Sequence, residues 1–168
     1  MDSLSDKEVE NVGNEIAKFM YELHNLEFNK DEVFNTRNIG LKLPDFLDEL
    51  LNLHLSEDDI KFWKESKIDD SCNNLVHGDL NPSNVLLDDN NNVAAIIDFG
   101  FGGFGDKYDD ISRIIGRCPE KFKNGIVKSY ESYSKAPVNM EILNDKIDKW
   151  NNIDKGYINY MRSIGIYE

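Results

Sequence analysis

The sequence has few cysteines, few bases and no long apolar run. Its two cysteines, Cys72 and Cys118, stand far apart and in no metal-binding pattern. That usage suits a reduced, cytosolic protein in which each thiol packs as a small hydrophobe. Lys and Arg number 19 against 32 Asp and Glu, for a net charge of -13. A field of that sign repels nucleic acid and anionic membranes and excludes both as natural partners. It attracts a polycationic small molecule, although an excess of acid also serves simply to keep a protein soluble. No apolar run approaches the roughly 20 residues that span a bilayer. The first ten residues, MDSLSDKEVE, are too acidic and polar for a signal peptide. Internal repeats and low-complexity linkers are missing too, so residues 1–168 read as a single domain with a core of its own.

What is present is mainly helical pattern. Ser5-x-x-Glu8 has the form of a capping box, and Val9, Val12, Ile16, Phe19, Met20 and Leu23 follow on one face of a helix. His24, at the end of that face, reads as a hydrogen-bonded core residue in preference to a ligand. Residues 25–43 carry few signals. Pro44 can open a helix with Phe46, Leu47, Leu50 and Leu51 inward. Ser56, followed by three acids, starts another that buries Ile60, Phe62 and Trp63. Later helices are expected from Asp109 or Asp110, with Ile111, Ile114 and Ile115 inward, and after Pro119, with Phe122, Ile126, Val127, Tyr130 and Tyr133. Asn139 caps a last long helix whose stripe runs Met140, Leu143, Ile147, Trp150, Ile153, Tyr157, Met161 and Ile164.

Between these helices lies the stretch LVHGDLNPSNVLLDDNNNVAAIIDFG, residues 75–100. Leu75 to His77 predicts a short strand, Asn84 to Leu87 a second and Val93 to Ile97 a third, with the Asp/Asn run 88–92 as the turn between the last two. The expected fold class is therefore mainly α with one small central β-hairpin. In such an antiparallel hairpin Asn84 begins one strand and Asp98 ends its neighbour. A carboxylate and an amide oxygen thus come side by side, as a shared Mg²⁺ site requires. Asp79 projects from the loop just before. An Asp, an Asn five residues on and a later Asp-Phe-Gly have the order and spacing of a kinase catalytic loop and metal site. Asp79 would orient the attacking hydroxyl, and Asn84 and Asp98 would hold the metal.

HGDLNPSNVLL followed by IIDFG closely resembles the Brenner-type motif of the aminoglycoside phosphotransferases and their choline-kinase-like relatives. More weakly, Glu22-Leu23-His24-Asn25-Leu26 resembles the end of an early helix in that family's C-terminal lobe. Gly105-Asp106 through Asp110-Ile111 resembles the segment after its Asp-Phe-Gly. The resemblance implies the C-terminal lobe of the protein-kinase-like fold. It also implies Mg²⁺ with ATP or GTP, and transfer of the γ-phosphate to a hydroxyl of a small cationic molecule such as an aminoglycoside, an antibiotic-resistance activity. Asp79 is then the catalytic aspartate, Asn84 and Asp98 the metal ligands, and Leu86 and Ile97 the floor of the nucleotide base. Gly78 stands where a protein kinase has the Arg that reads a phosphorylated loop, and the connection after Asp98 is short. Both favour a small-molecule substrate.

The N-terminal lobe of that family has no counterpart here: a glycine-rich loop on a hairpin, a strand lysine and its partner glutamate are all missing. Two readings stay open, a phosphotransferase and a non-catalytic kinase-like lobe serving as an interaction module. In either, the face that would meet the other lobe favours self-association. A literal G-x-G-x-x-G at residues 100–105 suggests a dinucleotide fingerprint. It fails on charge, because Asp98, Asp106, Asp109 and Asp110 surround the place where a pyrophosphate would sit.

Overall fold

A computed structural model describes residues 4–27, 55–65 and 74–166, the side chains of residues 62–65 excepted. The elements are helix α1 (Asp6–His24), helix α2 (Glu57–Glu65), strands β1 (Asn74–Val76), β2 (Val85–Leu87), β3 (Val93–Ile96) and β4 (Gly103–Gly105), then helices α3 (Lys107–Arg117), α4 (Glu120–Ser134) and α5 (Met140–Ser163). The helix expected from Pro44, the side chains of Phe62 and Trp63, and Cys72 lie outside the described residues.

Helix α1 starts where its capping box starts it. Glu8 accepts the Ser5 backbone N–H at 2.8 Å, which satisfies a donor that the first turn would leave orphaned. Three and four residues apart, Val9, Val12, Ile16 and Met20 turn inward. They meet Ile111, Ile114 and Ile115 of α3 and Phe122, Ile126 and Tyr130 of α4 in one continuous core. Gly13 lets α1 approach α4 closely: a Cβ there would touch the Ile126 side chain at 3.4 Å. Cys118 is buried in the same core, and its low-dielectric setting pushes the thiol up to about 11.

Helix α5 packs on α3 through its first two-thirds, where Leu143, Trp150 and Ile153 are buried. The expected stripe stops there. Met140, Tyr157 and Ile164 are exposed, while Lys146 and Asp154 pair with α3 and Asn152 bonds Asp59 of α2. Helix α3 begins at Lys107, two or three residues ahead of the expected start at Asp109 or Asp110. Asp106 is the cap, its side chain accepting the Tyr108 N–H at 2.9 Å. Asp109 and Asp110 are instead buried inside the first turn. Asn139 caps α5 as expected, accepting the N–H groups of Glu141 and Ile142.

The β-structure is two small antiparallel sheets. Strands β2 and β3 form the expected hairpin, with Val85 opposite Ile96 and Leu86 opposite Ala95. Period-two alternation sends Val85 and Ile96 to the core face and leaves Leu86 on the other. Asn84 itself sits in a 3₁₀ turn, Pro82–Asn84, just ahead of the strand. The second sheet pairs β1 with β4, Asn74 opposite Gly105 and Val76 opposite Gly103. Glycine tolerates this pairing because a Cβ at Gly105 would lie 2.8 Å from the Val76 side chain. The glycine-rich segment thus serves an antiparallel strand, and among the described residues no βαβ unit follows it. Among the described residues no helix is long and apolar enough to cross a membrane.

Candidate active site

Asp79 stands in the loop between β1 and the Pro82–Asn84 turn, and its backbone is held from three directions. The Asn84 side-chain amide donates to the Asp79 carbonyl at 2.9 Å, and the Asn81 amide does so at 3.0 Å. The Asp79 N–H donates to His77 Nδ1 at 3.3 Å. His77 Nε2 then carries the proton that it gives to the Ile97 carbonyl at 2.9 Å. The imidazole is fully buried and lies against the Phe99 ring, with centroids 4.4 Å apart. His77 therefore bridges the loop of Asp79 to the end of β3, one residue before Asp98.

The same bridge has a backbone strut. Ile97 N–H donates to the Asn84 carbonyl at 3.0 Å, which extends the hairpin register one pair beyond the β2–β3 ladder. Asn84 and the Asp98 backbone are thereby brought to one hairpin end. Asn84 is buried and spends its amide N–H on Asp79. Its Oδ1 accepts no hydrogen bond among the described residues. Asp98 takes a left-handed conformation, φ 66 and ψ 60, at the start of the Phe99–Phe101 turn, and it is exposed. Backbone of this kind is sparsely populated and persists where the surroundings enforce it. Both groups offer hard oxygen and fit Mg²⁺, which takes one or two protein oxygens and leaves other positions to phosphate and water. Among the described residues no three His, Cys, Asp or Glu form a metal cluster, so a metal here would rely on that mixed shell.

Behind the loop lies a buried polar group that motif reading alone missed. Asp110, fully buried on α3, accepts the N–H of His77 at 2.8 Å and the N–H of Gly78 at 2.9 Å. Its Oδ2 also lies 3.2 Å from His24 Nε2, and His24 Nδ1 lies 2.9 Å from the Tyr130 hydroxyl. His24 is thus the hydrogen-bonded core residue that its place on α1 suggested. Burial raises the Tyr130 hydroxyl well above its ordinary value, so it stays protonated. Gly78 has φ 79, and a Cβ there would sit 2.1 Å from the Phe101 carbonyl. Only glycine fits between that carbonyl and the loop.

The Asp79 carboxylate points toward α3. Its Oδ1 accepts from Arg113 at 2.8 Å and, more distantly, from Arg117 at 3.5 Å. Burial lowers the Arg113 guanidinium from its ordinary value, with the Asp79 charge opposing that shift. Nearby, Lys146 of α5 pairs with Asp109 at 2.5 Å and Asp106 at 3.2 Å, tying α5 to the first turn of α3. Burial pushes the Asp109 carboxyl up, and Lys146 partly offsets this. The arginines escaped sequence reading because they lie more than thirty residues from Asp79, on a helix face whose partner no local pattern reveals.

Leu86 and Ile97 are both exposed, at 44% and 42%. The Asn84–Ile97 bond and the Leu86–Ala95 pairing put them on the same face of the hairpin, opposite Val85 and Ile96. Phe99 and Phe101 are exposed beside them in sequence.

Among curated proteins none matches the chain in sequence. Solved structures do resemble it in fold. The GDP and kanamycin complex of APH(2")-IIia is 20% identical, with a TM-score of 0.61 over 98% of this chain and 60% of that one. Aminoglycoside-3'-phosphotransferase of type VIII is 19% identical, with a TM-score of 0.58 over 90% of this chain and 62% of that one. Macrolide 2'-phosphotransferase MphH from Brachybacterium faecium is 18% identical, with a TM-score of 0.51 over 96% and 57%. The chain therefore spans about three-fifths of the length of these structures. The fold is that of the aminoglycoside phosphotransferases, within the protein-kinase-like class. The sequence profile described as "Phosphotransferase enzyme family" matches residues 2–137, a span that contains the whole of the loop, hairpin and α3 arrangement, and the chain belongs to that family.

Proposed function

We propose that this chain carries the phosphoryl-transfer centre of a small-molecule kinase, moving the γ-phosphate of ATP or GTP to a hydroxyl of a cationic acceptor such as an aminoglycoside. The observation that carries the proposal is the joining of Asp79, Asn84 and the residue before Asp98 through two hydrogen bonds, Asn84 Nδ2 to the Asp79 carbonyl and Ile97 N–H to the Asn84 carbonyl. Asp79 accepts the hydrogen bond of the acceptor hydroxyl and aligns it for attack. An aspartate is a weak base toward an alcohol, so its part is orientation, with the proton moving late. Asn84 Oδ1 and the Asp98 carboxylate would hold Mg²⁺, which would supply positive charge against the phosphates. Leu86 and Ile97 floor the base of the nucleotide with exposed apolar surface. The net charge of -13 favours a cationic acceptor. Solved relatives contain ATP with streptomycin, and GDP with kanamycin.

Calorimetry with Mg–ATP and Mg–GTP tests the first half of this reading. Binding that weakens at least about tenfold in Asp98→Asn is expected. No binding at millimolar nucleotide would sink the claim that this chain is itself a kinase. Phosphate transfer to kanamycin or choline tests the second half. The exposed Leu86, Ile97, Phe99 and Phe101 favour a second reading, an interaction module that self-associates through this face. A monodisperse dimer without nucleotide binding is the result that selects it.

A further inference from the structure

The two carboxylate oxygens of Asp79 are unequally engaged. Oδ1 receives Arg113 Nη1 at 2.8 Å and Arg117 Nη1 at 3.5 Å, while Oδ2 has no hydrogen-bond partner among the described residues. Building on the proposed function, we infer that Arg113 is a positioning residue for phosphoryl transfer: gripped between the Trp150 ring and Asp79, it takes Oδ1 and leaves Oδ2 to face the acceptor hydroxyl.

Three features of Arg113 point this way. Its guanidinium carbon lies 3.7 Å from the centroid of the Trp150 indole, close enough for a cation–π stack that fixes the plane of the fork. Its side chain is 11% exposed and its Nε has no hydrogen-bond partner among the described residues. Leaving a buried N–H unmade is unfavourable, so packing alone does not explain an arginine where methionine or leucine would fill the space. Finally, both members of the stack stand on helices, Arg113 on α3 and Trp150 on α5. That is a firmer base than a loop for holding another side chain.

Arg117 does not duplicate this role. It is committed to Asp154 by a two-bond fork, Nε to Oδ2 at 2.8 Å and Nη2 to Oδ1 at 2.5 Å. Its contact with Asp79 is at the limit of a hydrogen bond. The backbone of Asp79 is fixed from the loop side by His77, Asn81 and Asn84. Those bonds leave the carboxylate free to rotate about its side-chain torsions. Arg113 supplies the restraint that the loop lacks, and it does so on the oxygen that the acceptor does not need.

The test compares the parent chain with Arg113→Met, which keeps the stem against Trp150, and with Arg113→Lys, which keeps the charge. With Mg–ATP or Mg–GTP and kanamycin or choline as acceptor, Arg113→Met is expected to lower kcat by about tenfold or more while the acceptor KM stays within about threefold. Arg113→Lys is expected to recover part of the lost kcat. A raised KM with kcat unchanged, or no change in either, overturns the inference and leaves the proposed function standing. Absence of transfer by the parent itself overturns the proposed function and the inference with it. A second measurement needs no turnover: the urea midpoints of Asp79→Asn, Arg113→Met and the double variant. The combined loss is expected to be smaller than the sum of the single losses, and strict additivity overturns the pairing on which the inference stands.

Discussion

The Asp110 carboxylate accepts the Gly78 backbone N–H at 2.9 Å, so a side chain of α3 holds the chain immediately ahead of Asp79. With His77 N–H as the second donor and His24 Nε2 close by, this fully buried group joins α1, α3 and the loop. Asp110→Ala removes the acceptor and strands two buried N–H groups. It is expected to destabilise the fold by about 3 kcal/mol, whereas Asp110→Asn, which keeps one acceptor oxygen, is expected to cost about half as much. Urea denaturation of the two variants checks both the direction and the order.

Gly78→Ala combines two faults at one position. The backbone φ of 79 is unfavourable for any Cβ, and the new methyl would lie 2.1 Å from the Phe101 carbonyl. The Phe99–Phe101 turn must then move away from the loop. A loss of about 2–4 kcal/mol is expected, read as a lowered thermal midpoint. Gly125→Ala serves as the control, since a Cβ there meets nothing within 4 Å, and it is expected to leave the midpoint the same or slightly higher.

Glu8 links stability to acid. Hydrogen bonds from the Ser5 side chain and backbone, and then from Asn91, hold its carboxyl down at about 2, from an ordinary 4.5. A group whose folded value is depressed contributes stability above its unfolded value and loses it as pH falls through the folded value. The stabilisation is therefore complete above pH 4.5 and gone below about 2. The gap in urea midpoint between the parent and Glu8→Gln is expected to be constant near neutrality, to shrink between those limits and to vanish below them. A gap that is unchanged at pH 2 would exclude the carboxylate as its source.

Cys118 is expected to resist thiol reagents in the folded chain, because its thiol is buried and pushed up to about 11. Mass spectrometry after a timed pulse with iodoacetamide, on a Cys72→Ser background, is expected to find Cys118 unmodified in buffer and fully modified in urea. Rapid labelling in buffer would contradict its place in the core.

Local chemistry was legible wherever a short stretch of chain decides the outcome. The Ser5–Glu8 box, the α1 face, the Asn139 cap and the 85–96 hairpin rest on spacing, propensity and backbone orphans within a few residues of one another. The hairpin also joins the Asn84 carbonyl to the Ile97 N–H, one residue before Asp98, as the strand spacing implied. The start of α3, expected at Asp109 or Asp110, lies two or three residues earlier at Lys107. Three aspartates compete to cap it, and Asp106 succeeds by bonding the Tyr108 N–H while burial draws Asp109 and Asp110 inward. Strand β4 was not legible, since Gly103–Gly105 has no strand propensity and takes its order from Asn74–Val76 across the fold.

By itself the sequence determined the helical faces, the hairpin and the order of three polar residues, since each follows from periodicity and bonds that close locally. Tertiary structure alone decided that Asp110 braces the loop, that Gly78 yields to the Phe101 carbonyl, and that Arg113 rather than a loop residue meets Asp79. Those contacts join residues far apart in the chain. They exist only because burial of one apolar core sets α1, α3 and α4 around the loop and packs α5 onto α3.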